Sequence, residues 1–509
     1  MKRMNWFSRI RPTLKKSEVV KVGMLMLIFI IAFVIRIMSI KFSGLNLSAY
    51  DPFFQYRATK YIVENGFKSW YKWHDTLRWF PEGRTYEHHL SGVPFAGAFL
   101  YLSLKAIIGS LFTMNVSVYE FCALLPPIMG ALSCLVMYYL GKEIGGTSTG
   151  LFSAFFLAIS GAFVSRTIMG FYDTEMIGIF GMLLTILFFI RAIEKKNYIG
   201  YIYMIMSGLS LGYILISWSA SVYIPFIIGL WLVVELFRGK LKNKQVYSYA
   251  IMSVLGIFIN ITMLKLSIIK CFDYVLIFGI TGVFLLYLVL KRLAISHEKR
   301  VFIIMIVGIV SLIVLQSQGF GLDTKFRKVI FPFLKLSEGD VFVTVAEHKS
   351  PNWVVFFNDF GFTIFLAIFG AYLCVRGRAD TKKLFTLLFF ISCMYFAGGM
   401  VRLKLVLAIP MALMAGYGLS VISSAFIEKI VETDKYKRRM WRRGMKSLDK
   451  SYAVIFLLIL FFSMIPTIYA PFKNYSNTPS SIVGCGIHTI DKIHPKPDWL
   501  QALICKLNP

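Results

Sequence analysis

The sequence is short of acids. Its 509 residues hold 26 Asp and Glu against 55 Lys and Arg, and charged residues of both signs make up only 16% of the chain. Soluble domains carry about 25% charged residues. That scarcity excludes an ordinary water-exposed globular fold, given 57% hydrophobic content and a mean hydropathy of +0.68. Cysteine is sparse as well: there are seven, with no Cys-x-x-Cys pair to suggest a thiolate metal site or dithiol redox motif. Cys122, Cys134, Cys271, Cys374 and Cys393 lie in or beside apolar runs. Cys485 and Cys505 lie in the C-terminal tail, where spacing alone does not show pairing. No internal repeat is evident, which weighs against transporters assembled from repeated halves. No cleavable signal peptide is evident either. The first apolar run, Val19 to Ile40, is too long for a signal h-region and lacks a clear small-residue cleavage site, so it reads as a first membrane span.

What the chain does contain is a series of apolar runs separated by short basic clusters. This is the positive-inside pattern, and it accounts for the net charge of +29 without nucleic acid. The basic loops also suit anionic lipid headgroups. Lys2, Arg3, Arg9, Arg11, Lys15 and Lys16 place the N-terminus in the cytoplasm. The clusters at Arg191–Asn197, Arg238–Lys244, 291–300, 376–383 and Lys435–Lys446 are assigned to the same side. Alternation then predicts an all-α polytopic membrane protein of about thirteen transmembrane helices, with the C-terminus external. Two long external loops are expected, at about 43–119 and 316–352, and an external tail over 471–509. The run Leu90 to Leu111 has both ends outside in this scheme, so it is expected to be interfacial.

Three acidic features fall on the external side. Asp51 follows the first span in "AYDPFFQYR". Asp173 and Glu175 stand one residue apart in "GFYDTEM", between two apolar runs. Glu347 lies in "VFVTVAEHKSPNW". Arg402, in "GGMVRLKLVLAIP", falls at an external boundary, and Arg166 lies seven residues before Asp173. Each has an ordinary alternative reading. Asp51 before Pro52 suits a turn or helix cap, Glu347 a solvated loop and Arg402 a snorkelling cation. Arg166 suits simple charge compensation, and His88 and His89 read as surface histidines. The convergence of separated acids on one membrane face favours function. Paired carboxylates present hard oxygen ligands of the kind Mg²⁺ and Mn²⁺ take. With an arginine beside them they suit a phosphorylated substrate, here a lipid-linked phosphate.

Five stretches in order carry a resemblance: "YDPFFQYRATKYIVENGF", "SRTIMGFYDTEMIGIF", "ISWSASVYIP", "VTVAEHKSPNW" and "MVRLKLVLAIPMALMAGYG". Together they resemble the catalytic subunit of oligosaccharyltransferase, of archaeal or bacterial type, over nearly the whole chain. The resemblance implies a GT-C type glycosyltransferase fold, with a transmembrane catalytic domain over 1–470. It also implies transfer of a glycan from a polyprenyl (dolichyl) phosphate or pyrophosphate carrier to Asn of Asn-X-Ser/Thr sequons. Asp51, Asp173 and Glu175 would then be ligands of Mn²⁺ or Mg²⁺. Glu347 would contact the acceptor Asn near the metal, Arg402 would bind the lipid-linked phosphate, and Arg166 would orient the acids. Asp51, Glu347 and Arg166 are the implied catalytic group. Implied partners are a lipid-linked oligosaccharide, an acceptor polypeptide and membrane lipids, in a cell membrane with the active face external. The family continues into a soluble domain with a Trp-Trp-Asp motif. Residues 471–509 resemble its lead-in and no Trp-Trp pair occurs. The chain is therefore expected to be a fragment, a degenerate copy, or one half of a split system that needs a separate soluble-domain chain. The remaining alternatives are another polyprenyl-phosphate-sugar transferase and a non-catalytic assembly subunit or transporter. Asn46, Asn115, Asn260 and Asn474 each begin an Asn-X-Ser/Thr triplet, a weak modification signal.

Overall fold

The computed structural model describes residues 16–40, 44–77, 80–109, 116–264, 272–317, 346–377, 380–430, 454–455, 458–460 and 462–469. Cys485 and Cys505, the triplets at Asn115 and Asn474, and most of the 316–352 loop lie outside these residues. The described chain is almost entirely helical, as lipid requires of a chain that must satisfy its own backbone polar groups. Nine described helices are long and apolar enough to cross a membrane, and a sharply bent helix pair makes up to ten.

Helix α1 runs Lys16–Ile37. Two helices follow before the next long span: α2 (Tyr50–Asn65) and α3 (Gly92–Gly109). They pack on each other. Between them lies a small ribbon, with His74 opposite Thr85 and Asp75 opposite Arg84. The Arg57 guanidinium donates to Asp75 Oδ2 at 2.5 Å and ties the ribbon to α2. His89 is not a surface residue as expected. It is buried, with its ring 4.6 Å from Phe54 and 6.2 Å from Trp73, because the aromatic side chains of this loop gather into a cluster of their own.

The central bundle comprises α4 (Val118–Gly145), α5 (Thr147–Ile159), the short turn α6 (Gly161–Val164), α7 (Thr174–Glu194), α8 (Asn197–Leu215), α9 (Tyr223–Phe237) and α10 (Asn243–Leu264). Helix α4 starts at a capping box, in which Ser117 accepts from the Glu120 N–H and the Glu120 carboxylate accepts from the Ser117 N–H. It packs on α1, α5 and α7, while α8 packs on α7 and α10. Asn260 is buried in α10 and accepts a hydrogen bond from the Tyr274 hydroxyl at 2.5 Å, which removes that triplet as an acceptor.

Next come α11 (Phe272–Arg292), α12 (His297–Ser317), α13 (Trp353–Phe360), α14 (Thr363–Arg376), α15 (Thr381–Gly399) and α16 (Lys404–Ile430). Helix α16 packs on α5, α14 and α15. Alternation reads Trp353 to Val375 as one continuous span, but the structure bends α13 and α14 by 90°. The cause is Gly361. It sits at φ +51, a left-handed conformation that favours glycine, and a Cβ there would lie 2.4 Å from Thr467 Oγ1. The Thr467 hydroxyl accepts from the Phe362 N–H at 2.9 Å and fixes the break.

Of the basic clusters that alternation placed on one side, the N-terminal one up to Lys15 and the one at Lys435–Lys446 lie outside the described residues, and the other four meet at one end of the bundle. Arg191 pairs with Glu143 at 2.9 Å and Lys382 with Glu194 at 2.6 Å. Lys244 donates to the Lys195 carbonyl, and Lys291 donates to Asn243 at 2.7 Å. Asp173 and Glu175 stand at the opposite end of α7 from Arg191, which lies in its last turn.

Candidate active site

Asp173 is the N-cap of α7, and its carboxylate accepts the Thr174 N–H at 2.7 Å. Glu175 lies in the first turn, with the Thr174 hydroxyl donating to Oε2 at 3.1 Å. Both acids thus stand at the positive end of a helix dipole, which favours their charges. Both are buried.

The loop that carries Arg166 and Asp173 is fastened to the start of the chain. Gly170 adopts φ +85, and a Cβ there would lie 2.2 Å from the Asn46 carbonyl oxygen. Ser48 N–H donates to Gly170 O at 3.0 Å, and Gly170 N–H donates to Ala123 O at 2.9 Å. The Asn46–Ser48 stretch leads straight into α2, whose first turn holds Asp51. Asp51 is not a helix cap. Ala49 occupies that position without a side-chain bond, and Asp51 is exposed.

Composition gave no prompt for Arg36, which supports the same loop from beneath. It is fully buried near the end of α1. Its guanidinium donates to Thr167 Oγ1 at 2.7 Å, Ala32 O at 2.8 Å and Ala158 O at 3.0 Å, and lies 4.9 Å from the Phe163 ring centre. Its own carbonyl accepts the Met169 N–H at 2.9 Å. The signal was present as a charge near the end of an apolar span, where a cation seldom lies without a structural or functional reason.

Two arginines join the acids across long sequence distances. Arg166 donates to Glu347 Oε1 at 2.5 Å. Arg402 lies 3.4 Å from Glu175 Oε1 and 3.6 Å from Glu347 Oε2. The Arg402 turn is held against the Glu347 turn by backbone: Val401 N–H donates to Lys349 O at 2.9 Å. The Ser350 hydroxyl donates to Gly399 O at 3.1 Å. Glu175, Glu347, Arg166 and Arg402 therefore form one network, beside Asp173.

Burial, and then the Glu175 charge, push the Asp173 carboxyl up to about 8 against the pull of the Thr174 N–H. Asp51 adds to the push and Arg402 opposes it. Burial disfavours charge on Arg166, but Glu175, Glu347 and Asp173 together outweigh it and hold the guanidinium above its ordinary value. Burial raises Glu347, yet Arg166 and then Arg402 hold it below the usual carboxylate range.

The Glu347 shift has a pH consequence. A carboxylate depressed on folding stabilises above its unfolded value and loses that contribution as pH falls through its folded value. Pepsin nicking within 346–353 is therefore expected to rise steeply as pH falls from about 5 to about 3, around an unfolded Glu value of about 4.3. Glu347→Gln should nick readily throughout that range. Identical pH profiles for both proteins would contradict the pairing.

Among the described residues, no three His, Cys, Asp or Glu side chains stand close enough to hold a metal ion between them. Asp173 and Glu175 are neighbours, and Asp51 acts on Asp173 through its charge. The donor chemistry nevertheless fits a hard divalent cation: the oxygens are carboxylate, and burial together with the Glu175 charge raises the Asp173 carboxyl, a penalty that a bound cation would offset.

The fold and this charged end define a class of polytopic helical membrane protein with an acid–arginine centre at one end of the bundle. Residues 20–415 match the family description Oligosaccharyl transferase STT3, N-terminal, and the chain belongs to that family. It is 26% identical over 457 residues to the dolichyl-diphosphooligosaccharide–protein glycosyltransferase subunit STT3B of Arabidopsis thaliana, covering 86% of this chain and 60% of the relative. The apo oligosaccharyltransferase of Archaeoglobus fulgidus matches with a TM-score of 0.70 at 16% identity, over 96% of this chain and 60% of that one. The same archaeal protein in complex with an inhibitory peptide and a dolichol-phosphate matches with a TM-score of 0.67 at 17% identity, over 97% of this chain and 61% of that one. The chain thus spans about 60% of the length of these relatives.

Proposed function

We propose that this chain is the membrane-embedded catalytic part of an oligosaccharyltransferase. It transfers a glycan from a polyprenyl (dolichyl) phosphate or pyrophosphate carrier to the side-chain nitrogen of Asn in Asn-X-Ser/Thr sequons. The observation that carries this reading is the network through which Arg402 and Arg166 join Glu347 to Glu175, drawing three distant segments to one end of the bundle. We place that end on the external face of a cell membrane, because the basic loops gather at the other end.

In this reading Asp173 and Glu175, with Asp51, hold Mn²⁺ or Mg²⁺. When bound, the cation stabilises negative charge on the departing phosphate. The Arg402 guanidinium, which now neutralises Glu175 and Glu347, turns to the same phosphate. Arg166 keeps Glu347 ionised and oriented. An amide nitrogen is a poor nucleophile because its lone pair is delocalised into the carbonyl. Asp51 and Glu347, accepting from its two N–H groups, weaken that delocalisation and take up developing positive charge. The nitrogen bonds to the anomeric carbon, and the carbon–oxygen bond to phosphate breaks. The electron pair leaves with the phosphate, and the amide proton passes to a carboxylate.

The test uses proteoliposomes holding this chain, a polyprenyl-linked glycan and an Asn-X-Thr peptide. The remaining C-terminal part of a relative is supplied as a separate chain. Glycopeptide should form, and its formation should fall at least about a hundredfold in Asp173→Ala/Glu175→Ala. Transfer at an unchanged rate in that variant would sink the assignment.

A further inference from the structure

Asp359 and Lys404 form a largely buried ion pair that the network above does not include. Lys404 Nζ donates to Asp359 Oδ2, and the two side chains are only 11% and 12% exposed. Their surroundings are otherwise largely apolar, with Phe156, Ile159, Ala408 and Met411 lining the adjacent cleft. A buried pair of this kind adds little net stability over well-packed apolar side chains, so fixing geometry is the more informative role to test.

The position of the pair suggests what it fixes. Lys404 is the first residue of α16, two residues after Arg402. Asp359 is the penultimate residue of α13, the helix that begins six residues after Glu347 and ends at the Gly361 break. A third segment closes on the same point. Gly161, the first residue of α6, lies so near Asp359 that a Cβ there would be 3.0 Å from its Cα and 3.1 Å from Oδ1. Helix α6 ends two residues before Arg166. The three segments that deliver Arg166, Glu347 and Arg402 therefore meet at one largely buried charge pair.

We infer that Asp359 and Lys404 are positioning residues that set Arg402 against Glu347 and Glu175, and so tune affinity for a polyprenyl-linked phosphate. The phosphate half of this inference rests on the proposed function; the positioning half does not. Either single truncation leaves a largely buried charge unpaired and is expected to destabilise the whole chain. The informative variant is Asp359→Leu/Lys404→Met, which removes both charges while keeping side-chain volume.

Two readouts decide the matter. The first is hydrogen exchange of the Val401 amide, which bonds Lys349 O. It should speed up about tenfold in the double variant, while amides in the middle of α16 stay protected. Unchanged exchange at Val401 would overturn the inference even if no lipid binds. The second is binding of polyprenyl monophosphate, measured in the wild-type and Arg402→Ala backgrounds. The double variant should lose about tenfold in affinity in the first background and under about twofold in the second. Equal losses in both would show a general structural effect and overturn the link to Arg402. Faster Val401 exchange in a chain that binds no polyprenyl phosphate in its wild-type form would leave the positioning role standing and refute the function on which the phosphate half rests.

Discussion

Arg402→Ala is expected to lower kcat/KM for the lipid-linked donor by about 10²- to 10³-fold, with little change in KM for the acceptor peptide. The guanidinium stands between Glu175 and Glu347 at 3.4 and 3.6 Å, and its side chain is 39% exposed. It is therefore paired, yet open to a substrate. Those contacts are longer than a charge-assisted hydrogen bond of about 2.7–2.9 Å, which leaves donor capacity for a phosphate. Arg402→Lys should recover only part of the loss, because an ammonium cannot present two parallel donors. A change within about threefold in Arg402→Ala would remove Arg402 from the donor site.

Gly170→Ala is expected to have the largest effect on the fold. Its φ of +85 is a conformation alanine avoids, and a Cβ would meet the Asn46 carbonyl at 2.2 Å. Relief of that clash breaks the Ser48 N–H bond to Gly170 O and strains the Gly170 N–H bond to Ala123 O. Backbone strain of roughly 1–2 kcal/mol, with one or two hydrogen bonds at about 1 kcal/mol each, gives a loss of about 3 kcal/mol. The damage falls between Asp51 and Asp173, so transfer should fall as well. The thermal midpoint in detergent and the transfer rate measure the two effects. An unchanged midpoint would contradict the tight approach seen here.

Much of this was legible in the sequence because lipid imposes a strict demand. A chain that must satisfy its own backbone writes its helices as long apolar runs, and basic clusters mark which ends share a side. That reading brought Glu143, Arg191, Glu194 and Lys382 to one end, where they pair. The acids at Asp173 and Glu175 stood out because a lone carboxylate pair between apolar runs is costly. Less legible were charges with a purely internal partner. Arg36, Asp359 and Lys404 sit within or at the edge of apolar runs, and their partners lie 131, 45 and 45 residues away. Spacing along one helix cannot reveal such a partner. The 90° bend was hidden for a related reason: Gly361 looks like any glycine in an apolar run until Thr467, over a hundred residues later, is brought against it. Asp51 was open to reading as a cap, and only the backbone shows that Ala49 takes that place.

The central claim is that Asp173 and Glu175, beside Arg402, hold a divalent cation. Mn²⁺ titration of the purified chain, followed by electron paramagnetic resonance, tests it with residues this chain itself contains. One site of bound Mn²⁺ is expected in the wild-type chain, lost in Asp173→Asn/Glu175→Gln and retained in Arg402→Ala. Equal Mn²⁺ binding by the wild type and the Asp173→Asn/Glu175→Gln variant would contradict it.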